Sequence, residues 1–576
     1  MLRGGRKGLK QRALPEQLDL CRLIAARLLA LARQGLALPW HGLAQVLARV
    51  PSRLMIAPQD IRTADPTIAE DIYSGYFAFG GKMINAHGVS PFELDPPSPA
   101  WAAALAGFGW LRHLRAADTA LARSNARALV DDFITHGHRH GPVGDHPAIA
   151  ARRLLSWLSQ SPIILEGADR GFYQRFMKSL SQTRARLQRQ MSCGQAGEAA
   201  LPVAIALASF ALCAKIPARA QRRATQQLAG VLDRQILADG GHVGRNPRIL
   251  VDLLLDLLPL RQAYAARGQP APQQLLNSID RMMPMLRLFR QGDSTLALFN
   301  GMGVSAPDSL ATVLAYDDAH AGAMTNARPS GYQRIESGTG LLIMDAGPAP
   351  SPEFSRHAHA GCLSFEFSSQ EQRLVVNCGA PGINRADAIE ASRTTAAHST
   401  LVVDDTSSCT FARSSGVERL VARQILSGPR RVTITRSERA DATEIEAAHN
   451  GYVARFGLLH ARRITLSHDG AILRGEDRLR RTRKNRKAVS ESFEIRFHLH
   501  PAVTCQRGEG GVFIDLTLAN GERWRFENDG MPVDIEDSIF FAAANGPRAC
   551  EQIVIKGIVK DEAVENWVFA RIGGEN

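Results

Sequence analysis

The sequence predicts an all-α half followed by an antiparallel β half, and two changes of pattern carry the prediction. From about residue 67 to 290, apolar residues recur at helical spacing and the punctuation fits helix ends. Near residue 295 the pattern becomes short β-branched or alternating runs separated by Gly, Asn, Asp and Ser, as in an antiparallel sandwich or barrel. A chain of 576 residues exceeds one ordinary core. It divides into a basic N-terminal segment with an amphipathic helix (1–66), a helical domain (67–295) and a β domain (296–576).

In the helical half, "NPRILVDLLLDLLPLRQAYAARG" is the clearest element. Asn246 can cap, Pro247 takes the first helical position, Leu250, Leu253, Leu254, Leu257 and Leu258 form the stripe, and Gly268 stops it. "DHPAIAARRLLSWLSQ" repeats the pattern, with Asp145 as cap and Ala150, Leu154, Trp157 and Leu158 as stripe. Roughly eight to ten such helices are expected, with no strand between them. In the β half, "GTGLLIMDAG", "HSTLVVDDTSS", "RRVTITRSE" and "GGVFIDLTLANGERWRFEN" are typical strand runs.

The N-terminal stretch "ALPEQLDLCRLIAARLLALARQGLAL" is apolar, but Arg22, Arg27 and Arg33 interrupt it. It offers neither the unbroken core of an export signal nor about 20 apolar residues for a spanning helix. It predicts an amphipathic helix that packs on the body, or else makes a peripheral contact with a membrane surface. The eight cysteines are scattered without a C-x-x-C pair, so isolated thiols are expected, which suits a reducing interior.

Lys and Arg outnumber Asp and Glu by 69 to 56, which favours a polyanionic partner or reflects a basic background. The dense run "RLRRTRKNRK" (Arg478 to Lys487) reads as a solvated hairpin loop or a polyanion contact. No aromatic residues stand beside those charges, so nucleic acid is not the expected partner. "HGHRHGPVGDH" (His136 to His146) reads as a linker between helices rather than a metal tract. No nucleophile elbow, phosphate loop or dinucleotide fingerprint occurs in a strand-to-helix context, which argues against nucleotide chemistry.

The residues that point to chemistry lie in "SRHAHAGCLSFEF". If the strand begins there, His357 and His359 project to one face in line with Leu363, Phe365 and Phe367. Asn377 follows His359 by 18 residues, far enough for the chain to return as the neighbouring strand, and His398 precedes another strong strand. Such imidazoles can converge on a metal, transfer protons, or bond to ordinary partners.

The succession "HAHAGCLSFEF", "RLVVNCG" and "RTTAAHSTLVVDD" resembles the C-terminal domain of the heparinase II/III family of polysaccharide lyases. The helical half, with "RRLLSWL" and "DGGHVGRNP", is similar to the (α/α) toroid of that family. The resemblance implies an incomplete toroid followed by a β-sandwich, with a catalytic cleft between them. It maps His357 onto the cleft, and His359, Asn377 and His398 onto a structural zinc site. Two residues depart from the family pattern: Gly361 stands where an aspartate often follows the histidines, and Asn377 replaces an acidic ligand.

Members of this family cleave uronate-containing glycans by β-elimination. A base takes the proton beside the carboxylate, an acid protonates the leaving oxygen, and a third group neutralises the carboxylate. The toroid segments that should carry Asn, Tyr and His offer Gln195 and Glu198, then His242, Arg245 and Asn246. The resemblance therefore implies Arg245 or Gln195 against the carboxylate, His242 with His357 as proton carriers, and Arg356, Arg393 and Glu198 as substrate contacts. The competing implication is a cleft that binds an acidic glycan without cutting it, as in an envelope-assembly protein. The family places the protein in the cell envelope or periplasm, whereas the missing export signal points to the cytoplasm.

Overall fold

The computed structural model describes residues 17–29, 31–32, 50–136, 141–194, 197–317, 322–382, 386–413, 415–482, 490–508 and 513–573. The helical body is built around Ala200–Cys213, whose residues are buried from Val203 to Cys213 because both faces are apolar. Pro147–Ser159, Arg170–Ser192, Ala218–Gln235 and Pro247–Ala266 pack around it. Asn246 caps the last of these as its sequence predicts, accepting from the Arg248 N–H at 2.9 Å. Asp145 does not cap Pro147–Ser159: His146 holds that position without a side-chain bond, and Asp145 pairs with Arg186.

The helical half also holds a hairpin, Tyr76–Phe79 with Lys82–Asn85, which breaks the all-α expectation. Its strands are only four residues long, too short for an alternating pattern, and the Gly80-Gly81 turn is the one signal of it. Helices continue past residue 295, since Pro307–Ala315 packs on Pro247–Ala266 before the first sandwich strand at Asn326–Ala327.

Two antiparallel sheets form the β domain. One runs in the order Val533–Phe540, Arg548–Val559, Glu491–Leu499, Gln372–Val376, Phe365–Ser369, Gly340–Asp345, Tyr332–Ser337 and Asn326–Ala327. Leu401–Val403 also pairs with Glu491–Leu499. The other sheet runs Val432–Glu438, Ala442–His449, Leu458–Ser467, Ile472–Arg481, Glu562–Ile572, Arg523–Asn528, Phe513–Thr517 and Thr504–Arg507. Aromatic side chains fill the space between the sheets, with Phe365 stacked on Trp567 at 5.5 Å and Phe367 edge-on to Trp524 at 5.3 Å.

The alternation along Leu458–Ser467 turns Leu458, His460, Arg462, Ile464 and Leu466 inward, so two polar side chains enter the core. Register supplies their partner, because Asp477 lies directly opposite Arg462 on the next strand. Asp477 accepts from Arg462 Nε and Nη2 at 2.8 Å each and from Trp567 Nε1 at 2.9 Å, and bonds His460 Nε2 at 2.7 Å. Burial alone would raise the Asp477 carboxyl, but Arg462 and His460 outweigh it and hold it well below the usual range. Arg462 Nη1 also donates to Leu363 O and Ser399 O, which flank the histidine-bearing loops.

The N-terminal helix packs Leu20, Leu23 and Ile24 on Ala412, Val421 and Leu426, while Leu18, Leu28 and Leu29 remain exposed. Within the basic run, Arg478 pairs with Glu476 and Glu562, and Arg481 with Glu491; residues 483–487 lie outside the described residues. Among the described residues no single helix is long and apolar enough to cross a membrane. The cysteines are unpaired; Cys213, Cys362, Cys378 and Cys409 are buried, whereas Cys21 and Cys193 are exposed.

Replacing Asp477 with Ala leaves the Arg462 guanidinium buried without its counter-ion. Denaturant unfolding is expected to show a loss of about 3–5 kcal/mol. A loss below about 1 kcal/mol would mean that the network does not support the sandwich.

Candidate functional site

The loop after Gln235 carries Asp239, His242 and Arg245 to the edge of the sandwich. Asp239 accepts from the Ser330 N–H at 2.7 Å and from its hydroxyl at 2.8 Å. Arg245 sits at φ 60°, a left-handed conformation rare for a residue with a side chain. Its Nε donates to Ser330 O at 2.8 Å, its Nη1 to Pro348 O at 2.9 Å, and its Nη2 to Asp345. Asn300 Nδ2 donates to Asp345 at 2.9 Å, and the Tyr332 hydroxyl donates to Arg245 O at 2.6 Å. This joint fixes the helical body on the sandwich.

Asn300 also reaches the histidine loop, where its Oδ1 accepts from the His359 N–H at 3.4 Å. The loop is irregular, and the strand begins only at Phe365. His357 and His359 therefore do not share a strand face: His359 is 5% exposed, whereas His357 is exposed. Gly301 lets the loop pass, since a Cβ there would lie 2.4 Å from His357 O. From the other side Arg393 donates to Ala358 O at 2.8 Å, Ser355 O at 2.9 Å and Arg423 O at 2.8 Å, and stacks over Phe411.

His357 faces a cleft of about 400 Å³ that Glu198, His242, Asn246, Asp252, Asp256, Arg62 and Arg152 also line. The His357 ring is held down to about 4, first by the protein packed around it and then by the guanidiniums of Arg393, Arg356 and Arg423. His242 is buried and pushed down to about 4 by that burial. Its Nδ1 accepts from the Gly244 N–H at 3.0 Å, so the proton sits on Nε2, 3.4 Å from Gln235 Oε1. Burial raises the Glu198 carboxyl, against the opposing charge of Arg356. Two neutral imidazoles and a carboxyl shifted towards its protonated form thus meet in one cleft.

A family model described as heparinase II/III-like, C-terminal, matches residues 319–568. FtsZ-localized protein C of Caulobacter vibrioides is 31% identical over 555 residues, spanning 93% of each chain. Among solved structures, a heparinase III superposes with a TM-score of 0.65 at 12% identity, covering 98% of this chain and 94% of that one. The heparan sulfate lyase HepC of Pedobacter heparinus gives 0.59 at 14% identity, over 97% and 91%. The chain belongs to the heparinase II/III family. Its fold is accordingly the helical toroid followed by the antiparallel sandwich.

Several residues that the sequence assigns to substrate hold the heparinase II/III-like framework together instead. Arg245, 7% exposed, does not line the cleft, because its guanidinium is directed at Asp345 and two carbonyls. Arg393, 3% exposed, shapes the histidine loop. Arg356 is exposed beside Glu198 and His357. Gln195 lies outside the described residues.

A structural zinc would draw on His359, His398 and Asn377. His398 Nδ1 donates to Thr394 O at 2.7 Å, so its Nε2 accepts from His359 Nδ1 at 3.1 Å. Asn377 Oδ1 accepts from the Ser399 N–H at 2.9 Å, and its Nδ2 can only donate. A structural zinc needs about four N, S or O ligands. Among the described residues no group of three or more His, Cys, Asp or Glu is placed to hold a metal, so the donor set does not fit the ion. Gly361 matches this arrangement, for a Cβ there would meet the His398 ring at 2.7 Å.

Arg62, Arg152, Asp252 and Asp256 are cleft residues that sequence reasoning missed. Asp256 accepts from Arg152 Nη1 at 2.9 Å and pairs with Arg62 at 2.9 Å. Their signal was two Asp four apart on a Leu-rich helix, which places both on one face.

The depressed histidines link stability to pH. His113, His242 and His398 titrate near 4 in the fold, and His498 near 3, against 6.5 for an unperturbed histidine. The unfolded chain therefore binds more protons, so the stability they contribute is complete above pH 6.5 and is lost as pH falls towards 4. The unfolding free energy from urea titrations is expected to drop through that window, by up to about 1.4 kcal/mol per pH unit for each buried histidine. A flat profile would contradict the assignment.

Proposed function

We propose that the cleft binds a uronate-containing glycan and cleaves it by β-elimination. The observation that supports this reading most is the meeting of the exposed, neutral His357 imidazole with the protonation-prone Glu198 carboxyl. In this scheme His357 removes the proton beside the uronate carboxylate, and Glu198 protonates the leaving glycosidic oxygen. His242 donates from Nε2 to a sugar oxygen. Arg356 at the rim faces the carboxylate, a role that neither Arg245 nor Arg393 is free to take.

A base titrating near 4 is ready at neutral pH but weak. Burial remains the larger cause, but a carboxylate entering beside Arg356 offsets part of the guanidinium charge that adds to it, and so favours the protonated form of His357. Basicity then rises only in the complex, where the proton has to be taken.

A second reading is favoured by the relative from Caulobacter, whose name places it with FtsZ rather than with a glycan-cleaving activity. On that reading the protein sits at the division site in the cell envelope and holds a glycan without cutting it. Co-sedimentation with FtsZ polymers tests the placement.

Incubation with a panel of uronate polysaccharides, followed by ultraviolet absorbance of the new C4=C5 double bond, tests the chemistry. His357→Ala and Glu198→Gln are each expected to lower kcat by about 10²–10⁴ with the fold intact. The acid limb of kcat/KM should fall near the free-enzyme value of about 4, and that of kcat at higher pH. Retained glycan binding without absorbance on any substrate would sink the lyase in favour of the non-catalytic reading.

A further inference from the structure

Between Arg170 and Gln235, eleven Lys and Arg residues stand against two acidic ones, so this short segment supplies nine of the chain's thirteen net positive charges. Of the two acids, Glu198 lines the cleft, which leaves Asp233 as the segment's own counter-charge on Arg170–Ser192 and Ala218–Gln235. Asp131 and Asp145 on neighbouring elements pair with Arg175 and Arg186. The rest of the chain is close to balanced, so the excess is local and is no property of overall composition.

Both helices pack against Ala200–Cys213 and are tied to each other by Gln188 Nε2 donating to Gln227 Oε1 at 2.9 Å and by Arg223 Nη2 donating to Ser192 Oγ at 3.3 Å. Between them and the Lys215–Pro217 turn runs a groove made of two adjoining hollows of about 420 and 340 Å³. Arg184, Ile216, Pro217 and Ala220 line both hollows, and Leu207 and Phe210 lie at the bottom of the second. Arg184, Lys215, Arg219 and Arg223 stand around this apolar floor. Arg184 Nε is buried without a hydrogen-bond partner, and its guanidinium lies over Phe210 at 5.9 Å.

We propose that this groove docks an acidic peptide segment of a partner protein, one that carries apolar side chains between its carboxylates. Charge selects an anionic partner, and the concave apolar floor selects among anions. A polysaccharide or nucleic acid has no aliphatic side chains for the floor, whose one aromatic ring, Phe210, is 2% exposed and offers no stacking face. A bilayer needs projecting apolar groups, whereas Leu207 and Phe210 are buried at the bottom of a concave groove. The chain's own adjoining segment, residues 33–49, carries Arg33 and Arg49 and no carboxylate, so it does not match the rim.

The test is fluorescence anisotropy of the full chain with a labelled peptide alternating Glu with Leu and Phe. Controls are its Gln-for-Glu twin and polyglutamate, each expected to bind about tenfold more weakly or worse. Ala220→Trp, which fills the groove from an exposed helix position, and the triple change Arg184→Glu, Arg219→Glu, Arg223→Glu are each expected to lower affinity at least about tenfold. Circular dichroism should show both variants folded, and any glycan cleavage in the separate cleft should be unchanged. The proposal is overturned if the Gln twin binds as well as the acidic peptide, or if Ala220→Trp binds like wild type. It is also overturned if phosphatidylglycerol vesicles or heparin bind at this face and the peptide does not.

Discussion

The cleft exists because one buried carboxylate, Asp345, is satisfied from both halves of the chain. Arg245 reaches it from the helical body and Asn300 from the linker, while Tyr332 closes the ring by donating to Arg245 O. A buried ion pair contributes little net stability, since desolvation offsets much of the attraction. Its worth here is geometric: with either partner gone a buried charge is left over, so the two domains have one favoured way to meet. Asn300 then carries that registration to the His359 backbone, and so to the loop that presents His357.

The same loop is fixed by donors on its other sides. Arg393 gathers three carbonyls, and Arg462, anchored by Asp477 in the sandwich core, gathers Leu363 O and Ser399 O. Irregular backbone cannot satisfy its own carbonyls, and a guanidinium can serve several at once in a fixed fork. His359 and His398 complete the support as a neutral hydrogen-bonded pair. Gly361 admits the His398 ring where the Cβ of an aspartate would collide with it, and Asn377 accepts from the N–H of Ser399, the residue after His398.

Periodicity made the long elements legible: the helices from Pro147 to Leu288 and the alternating strands appear where apolar spacing puts them. The Asn246 cap was readable for the same reason, being a local interaction within three residues. Arg245 and Arg393 were misplaced because sequence shows a charge and not its burial; Asp345 lies 100 residues from Arg245, and Ala358 lies 35 residues from Arg393. His357 and His359 were read as strand neighbours because period-two reasoning assumes a strand, and this loop is held by tertiary donors instead. Asp252 and Asp256 were not singled out, because sequence does not show which charges on a helix are buried, and the second is nearly buried between Arg62 and Arg152.

Charge is treated oppositely on the two faces of the helical body, and that difference separates their chemistry. In the cleft Arg62 and Arg152 share Asp256, and Arg62 also pairs with Asp60 at 3.6 Å, so an incoming carboxylate gains little from them unless it displaces a protein group. The other polar groups there are the neutral imidazoles of His357 and His242, the Glu198 carboxyl, and Arg356 at the rim. On the outer groove the guanidiniums outnumber their carboxylates, so attraction is long-ranged and falls with salt. In the cleft, burial keeps the His357 and His242 rings neutral, with the guanidiniums of Arg393, Arg356 and Arg423 adding to it at His357, whereas the positive charge of the outer groove exceeds the carboxylates of its own helices.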